Sequence, residues 1–104
     1  MSGSVHISFY GTVFRGDKLH DALQEVAAKS VHYGATGWAI WRYRDDMYKM
    51  LVSFDFDSKE DWDRYWNSDD FTEFRTLNQS YYQVPLLYYW TDKISVDTGI
   101  PLES

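Results

Sequence analysis

Two helix-start signals, set between strand-like segments, constrain the fold of this chain more than any other feature. The segment Ser58–Arg75 reads SKEDWDRYWNSDDFTEFR. Ser58, with Asp61 three residues later, has the form of a capping box, in which a hydroxyl and a carboxylate bind the free amides of a helix's first turn. Ser68 repeats the signal and is followed by two aspartates, which favour the positive end of a helix. The segment therefore predicts a capped helix, a short break and a second helical segment that continues to about Tyr82.

Aromatic side chains recur at helical spacing through this region. Trp62, Tyr65 and Trp66 fall on one face by the i, i+3, i+4 rule, and Phe71 and Phe74 extend the apolar stripe past the break. Aromatic residues make up 19% of the chain. Such side chains suit a core, an interface or a pocket for a flat ligand equally well.

The other elements follow from the same periodicities, with alternation of period two marking strands and a 3.6-residue spacing marking helices. Gly34 is placed to end the first helix, and Asp45 and Asp46 form a turn. The remaining predicted elements are the strand Val5–Phe14, a helix from Asp17 to about Tyr33, and the strands Thr36–Arg44, Met47–Phe56 and Leu86–Trp90.

The element order predicts a ferredoxin-like α+β fold, β-α-β-β-α-β, with a four-stranded antiparallel sheet. At this length we expect a single domain over residues 1–91. A polar tail, residues 92–104, follows; it is either disordered or lies across a partner subunit.

Large apolar side chains occupy both faces of the later strands, as Trp38 and Trp41 illustrate. In this fold the helices cover one face of the sheet, so a monomer would expose the other. The pattern predicts a homodimer packed through its sheet faces, with around 800 Å² buried per partner.

Composition excludes several classes of protein. A net charge of −6 leaves no basic stripe for nucleic acid, and no apolar run reaches the roughly 18–20 residues of a membrane helix. The chain has no cysteine, which excludes disulfides and thiolate metal sites and favours the cytoplasm. The three histidines lack metal-ligand spacing. We therefore expect no metal, no cofactor, no nucleic acid and no membrane.

The first strand carries a row of polar side chains that includes His6 and Tyr10. If this row faces the helices, His6 could serve as a general base. If it faces a partner subunit, His6 is an interface histidine.

The spacing of Ser58, Trp62, Tyr65, Ser68 and Phe71 resembles the pattern S-x-x-x-[FW]-x-x-[WYH]-x-x-S-x-x-[FH] of the antibiotic-biosynthesis-monooxygenase type of domain. That type belongs to the dimeric α/β-barrel superfamily, and the resemblance covers about residues 5–91. It implies the same fold, a dimeric α/β barrel, and a ligand held between the sheet and the helices.

The resemblance also implies a function: a cofactor-independent monooxygenase acting on a flat aromatic or polyketide-derived substrate. His6 would then be the base, and Arg75 and Tyr10 the polar clamps. The predicted walls of the slot are Trp62, Tyr65, Trp66 and Phe71. Arg75 could instead form a surface ion pair with the acids around it.

The resemblance leaves two other functions to consider: haem degradation, which the sequence argues against, and non-catalytic binding, which stays open. In the haem-degrading relatives a His of the second helical region binds iron, whereas Phe74 or Arg75 stands at that position here, which argues against haem. The competing class is a non-catalytic dimeric module that binds a ligand or a partner. A cleft filled by Tyr65, Trp66 and Tyr81 would favour the module, and an open cavity with His6 and Arg75 converging would favour the enzyme.

Overall fold

Four strands form one antiparallel sheet in the computed structural model, which describes residues 2–12 and 16–95. The strands are β1 (Gly3–Tyr10), β2 (Ala35–Arg42), β3 (Lys49–Phe56) and β4 (Tyr88–Asp92). Their order across the sheet is β2-β3-β1-β4. The helices are α1 (Gly16–Lys29), α2 (Lys59–Trp66) and α3 (Asp69–Asn78). The predicted α+β, ferredoxin-like fold is confirmed.

Both serine caps of the second helical region are present, whereas the carboxylate half of the predicted capping box is not found among the described residues. The Ser58 hydroxyl accepts a hydrogen bond from the Asp61 amide over 3.3 Å, and the Ser68 hydroxyl accepts one from the Phe71 amide over 3.2 Å. The Asp61 carboxylate binds Arg64 at 2.8 Å. The helix break at residues 67–68 therefore lies where the second serine predicts it.

Several boundaries differ from the sequence prediction. β1 ends at Tyr10, and residues 13–15 lie outside the described part of the chain. α1 ends at Lys29 and is followed by a 3-10 turn over Ser30–Tyr33, which Gly34 closes at φ 100°. β2 ends two residues early and β3 begins two residues late, because the turn between them is wider than two residues: the Tyr43 amide donates to the Lys49 carbonyl.

The helical region ends within one residue of the prediction, because α3 ends at Asn78 and is followed by a 3-10 turn over Gln79–Tyr81. Tyr82 is extended and forms a bridge to Gly11, and the Gln83 amide donates to the Tyr10 carbonyl at 2.8 Å. The helical region therefore ends where the chain pairs with the end of β1. As a result β4 starts at Tyr88 instead of Leu86 and runs through Asp92, the first residue assigned to the tail. Residues 96–104 of that tail are outside the described residues.

The helices cover one face of the sheet. Alternate residues of β1 and β3 point into the core, which also includes α-helical residues such as Leu19 and Leu23 of α1. The core-facing strand residues are at most 1% exposed: Val5, Ile7, Phe9, Met50, Val52, Phe54 and Phe56. We call the other side of the sheet the open face; it carries Ser4, His6, Ser8, Tyr10, Trp41, Tyr43, Lys49, Leu51, Ser53, Asp55, Tyr89 and Thr91. Within residues 2–12 and 16–95, no helix is long and apolar enough to cross a membrane.

Candidate functional site

A cleft of about 240 Å³ lies between α3 and the segment that leads to β4. Both α2 and α3 contribute to it, because Trp66 ends α2 and Arg75 lies on α3. We call it the Trp66–Arg75 cleft. Its lining residues are Trp66, Arg75, Thr76, Gln79, Tyr82, Val84 and Leu86.

Arg75 is fixed within this cleft by an aromatic stack and a backbone contact. The guanidinium carbon lies 4.3 Å from the Trp66 ring centroid and 5.5 Å from that of Phe71. Nη2 donates to the Trp66 carbonyl over 3.0 Å and reaches the Thr72 hydroxyl at 3.4 Å. Within the described part of the chain, Arg75 forms no ion pair and its Nη1 and Nε have no partner. These two nitrogens are available to an anion.

Tyr82 supplies a second polar group to the cleft. Its ring packs edge-on against Phe9 at 5.3 Å and stacks with Phe74 at 6.0 Å. Burial raises the pKa of the Tyr82 phenol, and the Arg75 guanidinium offsets part of that rise. The phenol is therefore a hydrogen-bond donor at neutral pH.

Three of the predicted wall residues lie in the core beneath the cleft. Trp62, Tyr65 and Phe71 are at most 1% exposed. The Tyr65 hydroxyl donates to the Val26 carbonyl over 2.5 Å, and burial is the main cause that raises the pKa of this phenol. Trp62 packs against Tyr88 at 5.0 Å, and its Nε1 has no hydrogen-bond partner among the described residues. These side chains fill the space that the sequence assigns to a ligand.

His6 and Tyr10 lie on the open face, away from the cleft. His6 Nε2 is 3.1 Å from the Thr91 hydroxyl, which itself donates to the Ser4 carbonyl, so Nε2 is the donor to Thr91. Lys49 Nζ lies 5.2 Å from the Tyr10 ring centroid. Because the sheet separates His6 from Arg75, the two do not converge on one substrate. Of the predicted site residues, the cleft brings together Trp66 and Arg75.

Sequence reasoning missed the far wall of the cleft. The sequence prediction places Tyr82 at the end of a helix, Val84 in a connection and Leu86 at the start of a strand. One signal was available, because Pro85 cannot continue a helix and biases Val84 towards an extended backbone. In the part of the chain that the structure describes, no three His, Asp or Glu side chains come together as a metal site.

Comparison with known proteins rests on structure alone. No sequence-family profile and no curated protein matches the chain. A structure from Nitrosomonas europaea, described as a candidate antibiotic biosynthesis monooxygenase, is 10% identical and has a TM-score of 0.81, covering 89% of this chain and 90% of its own.

Two further structures with the same description support that match. The protein from Bordetella bronchiseptica is 16% identical with a TM-score of 0.79, over 90% of this chain and 98% of its own. The protein from Chloroflexus aurantiacus is 13% identical with a TM-score of 0.78, over 93% and 97% respectively. The chain has the fold of the antibiotic-biosynthesis-monooxygenase-like proteins. At these identities the likeness concerns the fold, and the chemistry has to be argued from the site.

Proposed function

We propose that this chain is a cytoplasmic, homodimeric ligand-binding protein that holds a flat aromatic or polyketide-derived anion in the Trp66–Arg75 cleft. The observation that carries the proposal is the guanidinium of Arg75, stacked on Trp66 and anchored through Nη2, with Nη1 and Nε unused among the described residues. A cation held in this way needs little reorganisation to receive an acid group. The cysteine-free sequence favours the cytoplasm.

The walls of the cleft suit an aromatic ligand. Trp66 is half-buried, while Val84 and Leu86 provide apolar surface opposite it. Flat rings gain from such surfaces by dispersion and stacking. The acid group would lie against Arg75, and Tyr82 would donate to a second oxygen of the ligand.

The geometry favours binding over the predicted catalysis. A general base has to reach the proton that it removes, and His6 lies on the other face of the sheet. Tyr82 is the lining residue of the cleft whose neutral side chain can lose a proton. Because its pKa is raised, the phenol is a hydrogen-bond donor rather than a base at neutral pH.

Cofactor-independent oxygenation of the bound anion is the second candidate, and the presence of Arg75 and Tyr82 in the lining of one cleft favours it. An anthrone that loses its proton gives an electron-rich anion that can reduce dioxygen. The carbon then becomes a carbonyl: one oxygen atom enters the product, and the other leaves as water with the two hydrogens of the CH₂ group. Arg75 and Tyr82 would stabilise the anion, and solvent would accept the proton.

Anthracene-2-carboxylate tests the proposed function, since its fluorescence reports binding. We expect the Arg75→Gln variant, which removes the charge and keeps much of the side chain, to lose at least tenfold in affinity. Arg64→Gln is the matched control, because Arg64 binds Asp61 and the Tyr33 carbonyl outside the cleft. The neutral amide of the probe should bind weakly to all three proteins.

Equal affinity of the wild type and the Arg75→Gln variant for the carboxylate would refute the proposal. Oxygen uptake with an anthrone under air separates the two candidates. Uptake that requires Arg75 supports oxygenation, and saturable binding without uptake supports a ligand-binding protein.

A further inference from the structure

We propose that Trp41 of one copy inserts into a depression on the open face of a second copy, between Tyr10, Leu87 and Tyr89. The inference rests on the homodimer of the proposed function and names the contact that sets its register. Two equivalent contacts would form, since a twofold interface uses the same surface on both copies.

Trp41 has the properties of an interface anchor. Its side chain is 58% exposed on β2, one of the two edge strands of the sheet. Its Nε1 donates to the Ser53 hydroxyl over 3.3 Å, which fixes the direction of the indole ring. Tryptophan is among the residues that most often carry the binding energy of an interface.

The receiving depression lies at the opposite edge of the same face. It has a volume of about 300 Å³, with apolar walls from Val84, Pro85 and Leu87 beside polar groups of Ser8 and Gln83. Leu87 and Tyr89 are 59% and 66% exposed. The lining residues are Ser8, Tyr10, Gln83, Val84, Pro85, Leu87 and Tyr89.

The strand register places the tryptophan and the depression at the same height on the sheet. Leu51 pairs with Ser8 on one side and with Trp41 on the other, so these three residues form one row. Tyr88 pairs with Ile7, which places Leu87 beside Ser8 in the same row. A twofold axis parallel to the strands preserves height and exchanges the two edges of the sheet. It therefore carries Trp41 of each copy over the partner's depression.

The charges of the open face are compatible with a second copy as the occupant. Lys49 Nζ lies 4.5 Å from the Tyr43 ring centroid and 5.2 Å from that of Tyr10. Asp55 accepts a hydrogen bond from the Ser4 hydroxyl. Both charged side chains of β3 on this face therefore have partners within the same copy, aromatic rings for Lys49 and a hydroxyl for Asp55, and do not project free into the contact.

Cysteine pairing tests the register directly, because the natural chain contains no cysteine. The Trp41→Cys/Leu87→Cys double variant places thiols on opposite edges of the sheet. Three strand spacings of about 4.8 Å separate them within one copy, roughly 14 Å, whereas a disulfide requires Cα atoms within about 7 Å. Facing sheets pack about 10 Å apart, which is also beyond the reach of a disulfide, so a short bifunctional maleimide is used to join the two thiols across the interface. A covalent dimer then forms where position 41 of one copy lies opposite position 87 of the other.

We expect treatment of the dilute double variant with this reagent to give a covalent dimer on a denaturing gel, with little dimer from either single variant. Trp41→Cys/Leu77→Cys is the matched control, since Leu77 is 68% exposed on α3, on the helix side of the sheet. In a second measurement, sedimentation should show a dissociation constant at least tenfold higher for Trp41→Ala, with Leu77→Ala unchanged.

Three results would overturn the inference: a wild-type monomer at micromolar concentration, a dimer whose double variant does not cross-link, or equal cross-linking of the control pair. If the double variant does not fold, the sedimentation of Trp41→Ala decides. Binding of anthracene-2-carboxylate is measured separately. A dimer of the wrong register that still binds the probe through Arg75 contradicts only the Trp41 contact.

Discussion

Replacing Tyr65 by phenylalanine tests whether this phenol is a structural donor or a ligand contact. Tyr65 is fully buried, and its hydroxyl donates to the Val26 carbonyl of α1 over 2.5 Å. The variant keeps the packing of the ring and loses one buried hydrogen bond. We expect the free energy of unfolding to fall by roughly 1–2 kcal/mol at pH 7.

The effect of the same substitution on the free energy of unfolding should depend on pH, and the direction of the change follows from the pKa of the phenol. Burial raises the pKa of the Tyr65 phenol above its ordinary value of 10.0. The folded protein therefore keeps the phenol neutral, whereas the unfolded chain ionises it as the pH passes 10. Wild-type stability from this residue is complete below pH 10 and falls above it by about 1.4 kcal/mol per pH unit. The Tyr65→Phe variant has no phenol at this position and lacks that loss. The difference in unfolding free energy between wild type and variant should therefore narrow above pH 10 and close near roughly pH 11.

Urea unfolding at a fixed protomer concentration, repeated between pH 7 and pH 11, measures the difference in unfolding free energy between wild type and Tyr65→Phe. Ile7→Val is the matched control, because it removes a buried methyl group at a cost of about 0.5–1.5 kcal/mol and removes no titratable group. Its deficit should stay constant across the series. A Tyr65→Phe deficit that also stays constant would refute the reasoning, as would unchanged stability combined with lost affinity for anthracene-2-carboxylate.

Two stability predictions concern the ends of helices. Gly34→Ala should lose roughly 1–2 kcal/mol of unfolding free energy in the same urea titration, because Gly34 has φ 100°. An added Cβ would also lie 3.0 Å from Asp61 Oδ2. Gly34→Asn should lose less, since asparagine tolerates a positive φ. Ser68→Ala should lose about 0.5–2 kcal/mol of unfolding free energy, since the hydroxyl accepts from the Phe71 amide and donates to the Tyr65 carbonyl. Ser68→Thr keeps a hydroxyl for both bonds and should recover most of the loss; equal values for the two Ser68 variants would show that the cap contributes little.

The fold could be predicted from sequence because each element carries its own periodicity. Ser58 and Ser68 mark two helix starts that the structure places at those residues. The bridge between Tyr82 and Gly11 was not predicted, since Tyr82 fits the helical stripe while its backbone is extended. That pairing depends on a strand about 70 residues earlier in the chain, and local spacing does not report it.

The site was harder to predict because spacing shows which side chains share a face and does not show whether that face is packed or open. Trp62 and Trp66 belong to one helical face, yet Trp62 is fully buried and Trp66 borders a cleft. The orientation of His6 could have been inferred. Val5 and Ile7 form the more apolar row of β1, and helices cover the more apolar face of a sheet, which leaves His6 on the other side.

The cleft and the open face are linked through the extended segment that precedes β4. Side chains alternate along it: Tyr82 and Leu86 line the Trp66–Arg75 cleft, while Pro85 and Leu87 line the depression proposed for Trp41. The Gln83 amide ties the same segment to the end of β1. A ligand on one side and a partner subunit on the other would therefore rest against one short piece of backbone. Dimerisation through the open face would hold that wall of the cleft in place before a ligand arrives, which lowers the ordering cost of binding.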